Sequence, residues 1–443
     1  MIMNIRRRKI NHNNGLKINQ KDIPSEVMFI LKQLKKAGHL SFLVGGCVRD
    51  LLLLRTVRDW DVVTDAKPEQ IQKIFNEHRT FLIGKSFLTV TLILNHNEYQ
   101  ISTIRSSQYY QGSQKRNKNS YRMVKDDLNK RDFTINAICW EQDEGLFDPC
   151  HGLNDLNNKI IRSINPDLRF KEDPLRMLRA VRLSCELSFT ISSEVKKGIY
   201  KNAFLLRFIS PERIKAEITF ILNNPGAGQG LFLLCKFELD RYIFTLDGIK
   251  KNQIDKTEKN KLTFAGMKEE ELIKDLSSKL ALFGRLYYGS CKAANLFYLP
   301  VIKTLRFPKK IIKTVEILLN IEWEEVDFDN AVKTRFILSS FGEENTRRII
   351  LFKKALLLER NKKLQPEDLR AEENLLKEEI KKKLPLKISE LAINGNDLIK
   401  MGLPEGRRIG EILAVILEKV IINPDINTKA KLLKLVQSTI NNK

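Results

Sequence analysis

The stretch FLVGGCVRDLLLLRTVRDWDVVTDA, residues 42–66, decides how the rest of the chain is read. An apolar run ends in a glycine pair, an Arg-Asp step opens a leucine-rich segment, and two carboxylates follow one residue apart, Asp59 and Asp61. LSFLVG, 40–45, reads as a buried strand, CVRDLLLL as a short helix launched from the glycines, and DWDVV as a second strand. Residues i and i+2 of a strand share a face, so Asp59 and Asp61 aim together while Trp60 and Val62 face the core. Two such acids repel unless a cation lies between them, and Mg²⁺ is held by one or two carboxylates together with substrate phosphates. The pair reads as a metal seat for phosphoryl chemistry. Gly45 and Gly46 let backbone N–H groups approach a phosphate, the next helix aims its N-terminus at the same charge, and Arg49 lies one turn in, within reach of a phosphate oxygen. A lone D-x-D is usually two surface acids; the ordered set G-G-x-x-R-D and D-x-D is far more specific.

The whole chain suits that chemistry. Its 443 residues, 42% of them hydrophobic, can form two or three compact domains. Lys and Arg number 77 against 54 Asp and Glu, and the resulting +23 calls for a polyanionic partner unless it reflects only an AT-rich genome. No apolar run approaches the ~20 residues of a membrane helix. The basic start, MIMNIRRRKINHNN, lacks the apolar centre of a secretory signal, so a cytoplasmic protein is expected. Six scattered cysteines without a C-x-x-C pair argue against a zinc site and suggest no disulfide framework.

Further along, PEQIQKIFNE (68–77) has the form of an amphipathic helix with Pro68 at its first position. FLTVTLIL and EYQISTI flank NHN as a hairpin would, and the small mixed sheet is expected to end near residue 140. Between Arg105 and Asp126 a polar, basic, poorly periodic segment predicts a mobile loop. After residue 170 helical periodicity takes over, so the fold class is α+β: a head with a small mixed β-sheet, then a largely helical body and tail. A break is expected in KKNQIDKTEKNK, 250–261, and an exposed helix in the charged stretch 359–385.

These motifs resemble the head of the nucleotidyltransferase family that includes tRNA CCA-adding enzymes and bacterial poly(A) polymerases. KRDFTINAICW (130–140) resembles the family's second motif, and FDPCHGLNDLNNKIIRSI, RFKEDPLRMLRAVRLSCELSF and ISPERIKAEI its next three, in order and spacing. Leu54 stands where the family usually has Gly, Lys130 replaces the first of two arginines, and Pro174 sits where several CCA-adding members have Ala. The resemblance implies a catalytic head over 24–165, a nucleotide-recognition neck over 166–249, a helical body over 262–384 and a tRNA-binding tail over 385–443. It also implies two Mg²⁺ ions at Asp59 and Asp61.

In EDPLRMLRAVRL, Asp173, Arg176, Arg179 and Arg182 recur every third residue, while Leu175, Leu178 and Val181 turn inward. Intrahelical salt bridges would explain that stripe. A sharper reading uses base chemistry: C and A both present an amino donor beside a ring-nitrogen acceptor, so one Asp–Arg pair can accept both and reject U and G. The resemblance assigns base reading to Asp173 and Arg176 and turns Arg179 and Arg182 toward the triphosphate. It places Asp132 at the ribose 2′-OH, with Arg131 in the same nucleotide site. Ser210 and Pro211 open a helix that Glu212 and Arg213 brace.

Two features favour the tRNA branch. GKSFLTVTLIL lacks the G-R-R-F and following His that poly(A) polymerases usually carry, and residues 392–436, two helices around MGLPEGRRIG, resemble the tail of long-form bacterial CCA-adding enzymes. The expected activity is Mg²⁺-dependent addition of C, A or both to tRNA 3′ ends from CTP and ATP. The alternatives are a bacterial poly(A) polymerase and an A-adding or CC-adding specialist.

Overall fold

After a short 3₁₀ turn (Gln20–Asp22), helix α1 (Ser25–Lys36) buries Val27, Ile30, Leu31 and Leu34, a three-four spacing that gives it one apolar face. The computed structural model describes residues 17–83, 88–104, 118–244, 273–322, 326, 328–360 and 370–441. The chain divides into two units, 1–209 and 210–443, with the boundary inside the 166–249 stretch.

In the first unit, strand β1 (Phe42–Val44) leads into helix α2 (Gly46–Leu52), strand β2 (Asp61–Thr64) and helix α3 (Pro68–Ile74), which starts on the expected proline. Strands β3 (Arg79–Ile83), β4 (Thr89–Leu94) and β5 (Asn97–Thr103) form an antiparallel meander. Asn95 and His96, which join β4 to β5, have φ of 49° and 65°, the two positive values of a tight two-residue hairpin. After helix α4 (Lys118–Leu128), strands β6 (Cys139–Glu141) and β7 (Gly145–Phe147) complete a seven-stranded sheet ordered β3-β4-β5-β2-β1-β6-β7. β2 and β5 run parallel and the other neighbours antiparallel, so the sheet is mixed.

Three sequence expectations change here. The sheet continues to Phe147 rather than stopping near 140, because β6 and β7 are three residues each and too short to show periodicity. β3 escaped notice because it is an edge strand whose Phe81 and Leu82 both remain exposed. The loop expected up to residue 125 is helical from Lys118, and Val124 and Leu128 bury against Phe42, Val44 and Ala137. Residues 105–117 lie outside the described residues.

Helix α5 (Gly152–Asn157), strand β8 (Ile160–Ile161), helices α6 (Pro166–Glu172) and α7 (Leu175–Leu187), strand β9 (Thr190–Ile191) and helix α8 (Ser193–Asn202) follow. Asn165 caps α6 by accepting from the Leu168 N–H, with Pro166 at the first helical position.

The second unit has no strand among the described residues. Helix Pro211–Leu222 starts after Ser210 as expected, and Glu212 forms an ion pair with Arg306. Gly284 lets Leu276–Tyr288 meet Tyr298, whose ring is wholly buried with Phe244 and Phe283. The helix expected in the charged stretch spans Arg370–Lys381. The tail holds three helices, Gly395–Lys400, Arg407–Ile422 and Lys429–Asn441, around a core of its own that includes Leu398, Ile416 and Val436. The break expected at 250–261 lies outside the described residues. No helix among them is long and apolar enough to cross a membrane.

Candidate active site

The junction of β1 and α2 is Gly45, with φ 85° and ψ −136°, a backbone conformation open to glycine and strained for any L side chain. Its N–H donates to the Ile138 carbonyl at 3.3 Å, which ties the turn to the segment leading into β6. A Cβ placed on Gly45 would lie 3.0 Å from Arg131 Nη1, 3.6 Å from Asp61 Oδ2 and 3.9 Å from the Asn136 carbonyl oxygen. The glycine turn, the Asp61 carboxylate and the Arg131 guanidinium therefore meet at one point. Gly46 begins α2 directly behind it.

Asp61 is the first residue of β2 and half-buried; Asp59 precedes the strand and is exposed. Asp59 lies outside the strand whose alternation is expected to orient it, because the ladder with β5 begins only at Asp61 and that with β1 at Val62. The two acids still feel each other. Loss of water pushes the Asp61 carboxyl above the ordinary carboxylate range, Arg131 pulls it down, the Asp59 charge pushes it up, and Arg179 pulls it down. Among the described residues no hydrogen bond reaches the Asp61 carboxylate.

Behind the turn runs a chain of polar side chains. Arg49, only 6% exposed, donates from Nε and Nη2 to the Asp50 carboxylate at 2.9 and 3.0 Å, and from Nη1 to Asn136 Oδ1 at 2.8 Å. Asn136 Nδ2 donates to Asp132 Oδ1 at 3.2 Å, and the Phe133 N–H donates to the same oxygen at 2.9 Å. Asp132 Oδ2 lies 2.8 Å from Arg179 Nη2 but accepts no well-aligned hydrogen bond. Among the described residues, Arg131 and Arg179 each leave a buried Nε–H without a hydrogen-bond partner.

Asp173 lies between α6 and α7, outside the helical stripe expected of it, and its Oδ1 accepts from the Leu175 N–H at 3.2 Å. Arg176 donates to Glu172 Oε2 at 3.2 Å and to the Lys130 carbonyl at 3.4 Å. Arg182 donates to Glu186 at 3.2 Å, one turn along the helix, as the salt-bridge reading of the stripe predicts. Leu175, Leu178 and Val181 are buried as expected. Gly45, Asp61, Arg131, Asp132 and Arg179 thus gather in one place, while Arg49 is turned inward. Sequence reasoning passed over Asp50 and Asn136; the available signal was their position inside quoted motifs, directly after Arg49 and four residues after Asp132.

A divalent cation fits this donor set. Asp61 is a desolvated carboxylate without hydrogen bonds and beside a second acid, and a hard cation with oxygen ligands relieves both costs. No third His, Cys, Asp or Glu joins the pair among the described residues.

A mixed sheet that turns through glycine into a helix, with one carboxylate just before the next strand and a second at its first residue, defines a nucleotidyltransferase head. Residues 41–162 match the family model described as the Poly A polymerase head domain, 188–246 the model of the RNA- and SrmB-binding site of polymerase A, and 298–436 that of tRNA nucleotidyltransferase domain 2. A CCA-adding enzyme from a Geobacillus strain is 32% identical over 415 residues, 90% of this chain and 92% of the relative. One from Lactobacillus delbrueckii is 31% identical over 420 residues, 92% of this chain and 96% of the relative. The solved structure of the Bacillus stearothermophilus CCA-adding enzyme in complex with CTP superposes with a TM-score of 0.73 at 26% identity, covering 94% of this chain and 98% of that one. The chain belongs to the CCA-adding enzyme family and is a nucleotidyltransferase.

Proposed function

We propose that this protein adds C and A to the 3′ end of tRNA, taking the nucleotides from CTP and ATP in the cytoplasm. The observation that carries the chemistry is the meeting of the Asp61 carboxylate and the Arg131 guanidinium at the Gly45 turn. The match to CCA-adding enzymes along nine-tenths of the chain supports the substrate.

Asp59 and Asp61 would hold Mg²⁺, which when bound supplies charge neutralisation for in-line phosphoryl transfer. In that reaction the RNA 3′-hydroxyl loses its proton to solvent, its oxygen bonds to the α-phosphorus, the bond from that phosphorus to the α–β bridging oxygen breaks and pyrophosphate leaves. The backbone at Gly45 and Gly46 admits the phosphates close to the start of α2, and Arg131 and Arg179 face their charge. Asp132 offers Oδ2, a buried acceptor with no aligned donor, to the ribose 2′-OH. Asp173 and Arg176 read the amino group and ring nitrogen shared by C and A. Arg49 supports the turn from within, and Arg182 steadies α7 through Glu186. In this reading residues 24–165 carry out transfer, 166–249 choose the base, and 262–384 and 385–443 engage the RNA.

The test gives purified protein a tRNA lacking CCA, a tRNA ending in CC and an unstructured RNA, with CTP and ATP alone and together. Two C and one A on the first transcript is the expected result. A only on the second marks an A-adding specialist, C without A a CC-adding one, and long A tracts on unstructured RNA without use of CTP refute tRNA specificity.

A further inference from the structure

Asn136 is 6% exposed and stands between two charged side chains of opposite sign, the Arg49 guanidinium on one side and the Asp132 carboxylate on the other. The first demands an acceptor and the second a donor. A carboxamide supplies both from one planar group, which fixes its orientation: Oδ1 toward Arg49, Nδ2 toward Asp132. An aspartate here would satisfy Arg49 and repel Asp132; a leucine of similar size would leave Arg49 with Asp50 alone and Asp132 Oδ1 with the Phe133 N–H alone.

The support under Asn136 is rigid. The short 3₁₀ turn Thr134–Asn136 is clamped from below: Thr134 Oγ1 donates to Asp155 Oδ2 at 2.7 Å, and the Thr134 N–H donates to the Arg162 carbonyl at 2.9 Å. Gly152 lies so close that a Cβ there would sit 2.1 Å from the Thr134 carbonyl oxygen. From this fixed point the amide donates to Asp132 Oδ1, which also receives the Phe133 N–H. Two donors from different directions set the plane of the carboxylate. Oδ2 then faces away from both donors, ion-paired with Arg179 Nη2 at 2.8 Å and without an aligned hydrogen bond among the described residues.

We infer that Asn136 is a positioning residue for sugar selection: by pinning Asp132 Oδ1 it holds Oδ2 where an incoming ribonucleotide's 2′-hydroxyl donates to it. The inference rests on the reading of Asp132 as the ribose contact. A deoxynucleotide leaves Oδ2 with the Arg179 charge but without a hydrogen bond in a desolvated place, and a site built on hydrogen bonds rejects an analogue that lacks one. When the amide is removed the carboxylate rotates, and the distinction between ribose and deoxyribose weakens.

The experiment measures kcat/KM for CTP against dCTP and ATP against dATP, with tRNA as acceptor, in the full-length wild type, Asn136→Ala and Asp132→Ala, alongside Tm and tRNA Kd. A hydrogen bond to a charged group corresponds to a factor of about 10 to 100 in rate ratio. Asn136→Ala should lower the ribo-to-deoxy ratio by about tenfold or more. The ribonucleotide value falls, the deoxynucleotide value barely changes, and tRNA Kd stays as in the wild type. If Asn136→Ala does not fold, Asn136→Ser, too short to bridge both partners, must show the same loss. Equal falls for ribo- and deoxynucleotides, or an unchanged ratio in the Asn136 variant while Asp132→Ala loses it, would overturn the inference and leave the ribose reading standing. An unchanged ratio in Asp132→Ala would remove the ribose reading and the inference with it, while nucleotide addition to tRNA in the wild type is scored separately.

Discussion

Replacing Gly45 with alanine tests the site at its tightest point. The residue has φ 85° and ψ −136°, so the backbone alone costs about 1–3 kcal/mol in an L residue. The new methyl carbon would start 3.0 Å from Arg131 Nη1 and 3.6 Å from Asp61 Oδ2. The guanidinium is the end of a flexible side chain and gives way first, losing its place beside Asp61. Removing one fixed donor or cation from a charge-stabilising site typically lowers turnover by about 10²–10³-fold. Gly45→Ala should therefore transfer nucleotide about 10²-fold more slowly or worse, with a lower Tm, while its tRNA Kd is unchanged. Arg131→Ala should lose rate by a similar factor without the backbone penalty. Because the two changes act through the same guanidinium, the double variant should be little slower than either single one. Single-turnover incorporation of CTP into tRNA ending in the discriminator base measures all three. A Gly45→Ala rate within twofold of wild type, or rate losses that multiply in the double variant, would show that the close approach does not position Arg131.

Two further predictions concern charge. Burial raises the Asp61 carboxyl above its unfolded value, so the ionised form burdens the fold at every pH above the folded pKa, and the burden disappears below the unfolded value of about 3.9. Asp61→Asn should abolish transfer yet melt no lower, and by this argument higher, than wild type at pH 7 in chelator; a lowered Tm would show that the carboxylate stabilises the head. Asp167 is the opposite case. Hydrogen bonds from Asn202, then Lys171 and Lys201, hold its carboxyl well below the usual range, so its stabilisation is complete above about pH 4 and lost as pH falls through the folded value. Asp167→Asn should be less stable than wild type to urea at pH 7, with the gap closing in acid; a gap constant from pH 7 down to pH 2 would assign the effect to something other than ionisation.

What could be read from the chain was local. The strand, glycine turn and helix of 42–52 announce themselves because burial, positive φ and helix initiation each favour particular residues in consecutive positions. The hairpin of β4 and β5 and the inward face of α7 were legible for the same reason. Partner choice was not. Arg49 finds Asn136 across 87 positions, and Arg176 joins Glu172 and the Lys130 carbonyl, choices that depend on how α2, α6 and α7 approach the second motif. Spacing also misplaced Asp59 and Asp173, because each lies just before the element whose periodicity was used to orient it.

The polar chain explains why the motifs are needed together. Asp50 and Arg49 come from α2, Asn136 and Asp132 from the second motif, and Arg179 from α7, and each segment adds a partner to a charged group of the one before it. Isolated, α2 would carry a guanidinium with one partner, and the second motif a buried carboxylate without its Arg179 ion pair. Joined, they place Asp132 Oδ2 and the Arg131 and Arg179 guanidinium groups around the turn that Gly45 opens, next to Asp61, whose carboxylate no protein hydrogen bond reaches among the described residues. At this turn Asp61, Asp132 Oδ2 and the Nε–H groups of Arg131 and Arg179 are left without protein hydrogen bonds among the described residues, and in the proposed reading a nucleotide and its metal would complete them, so stabilising substitutions at these positions should cost activity.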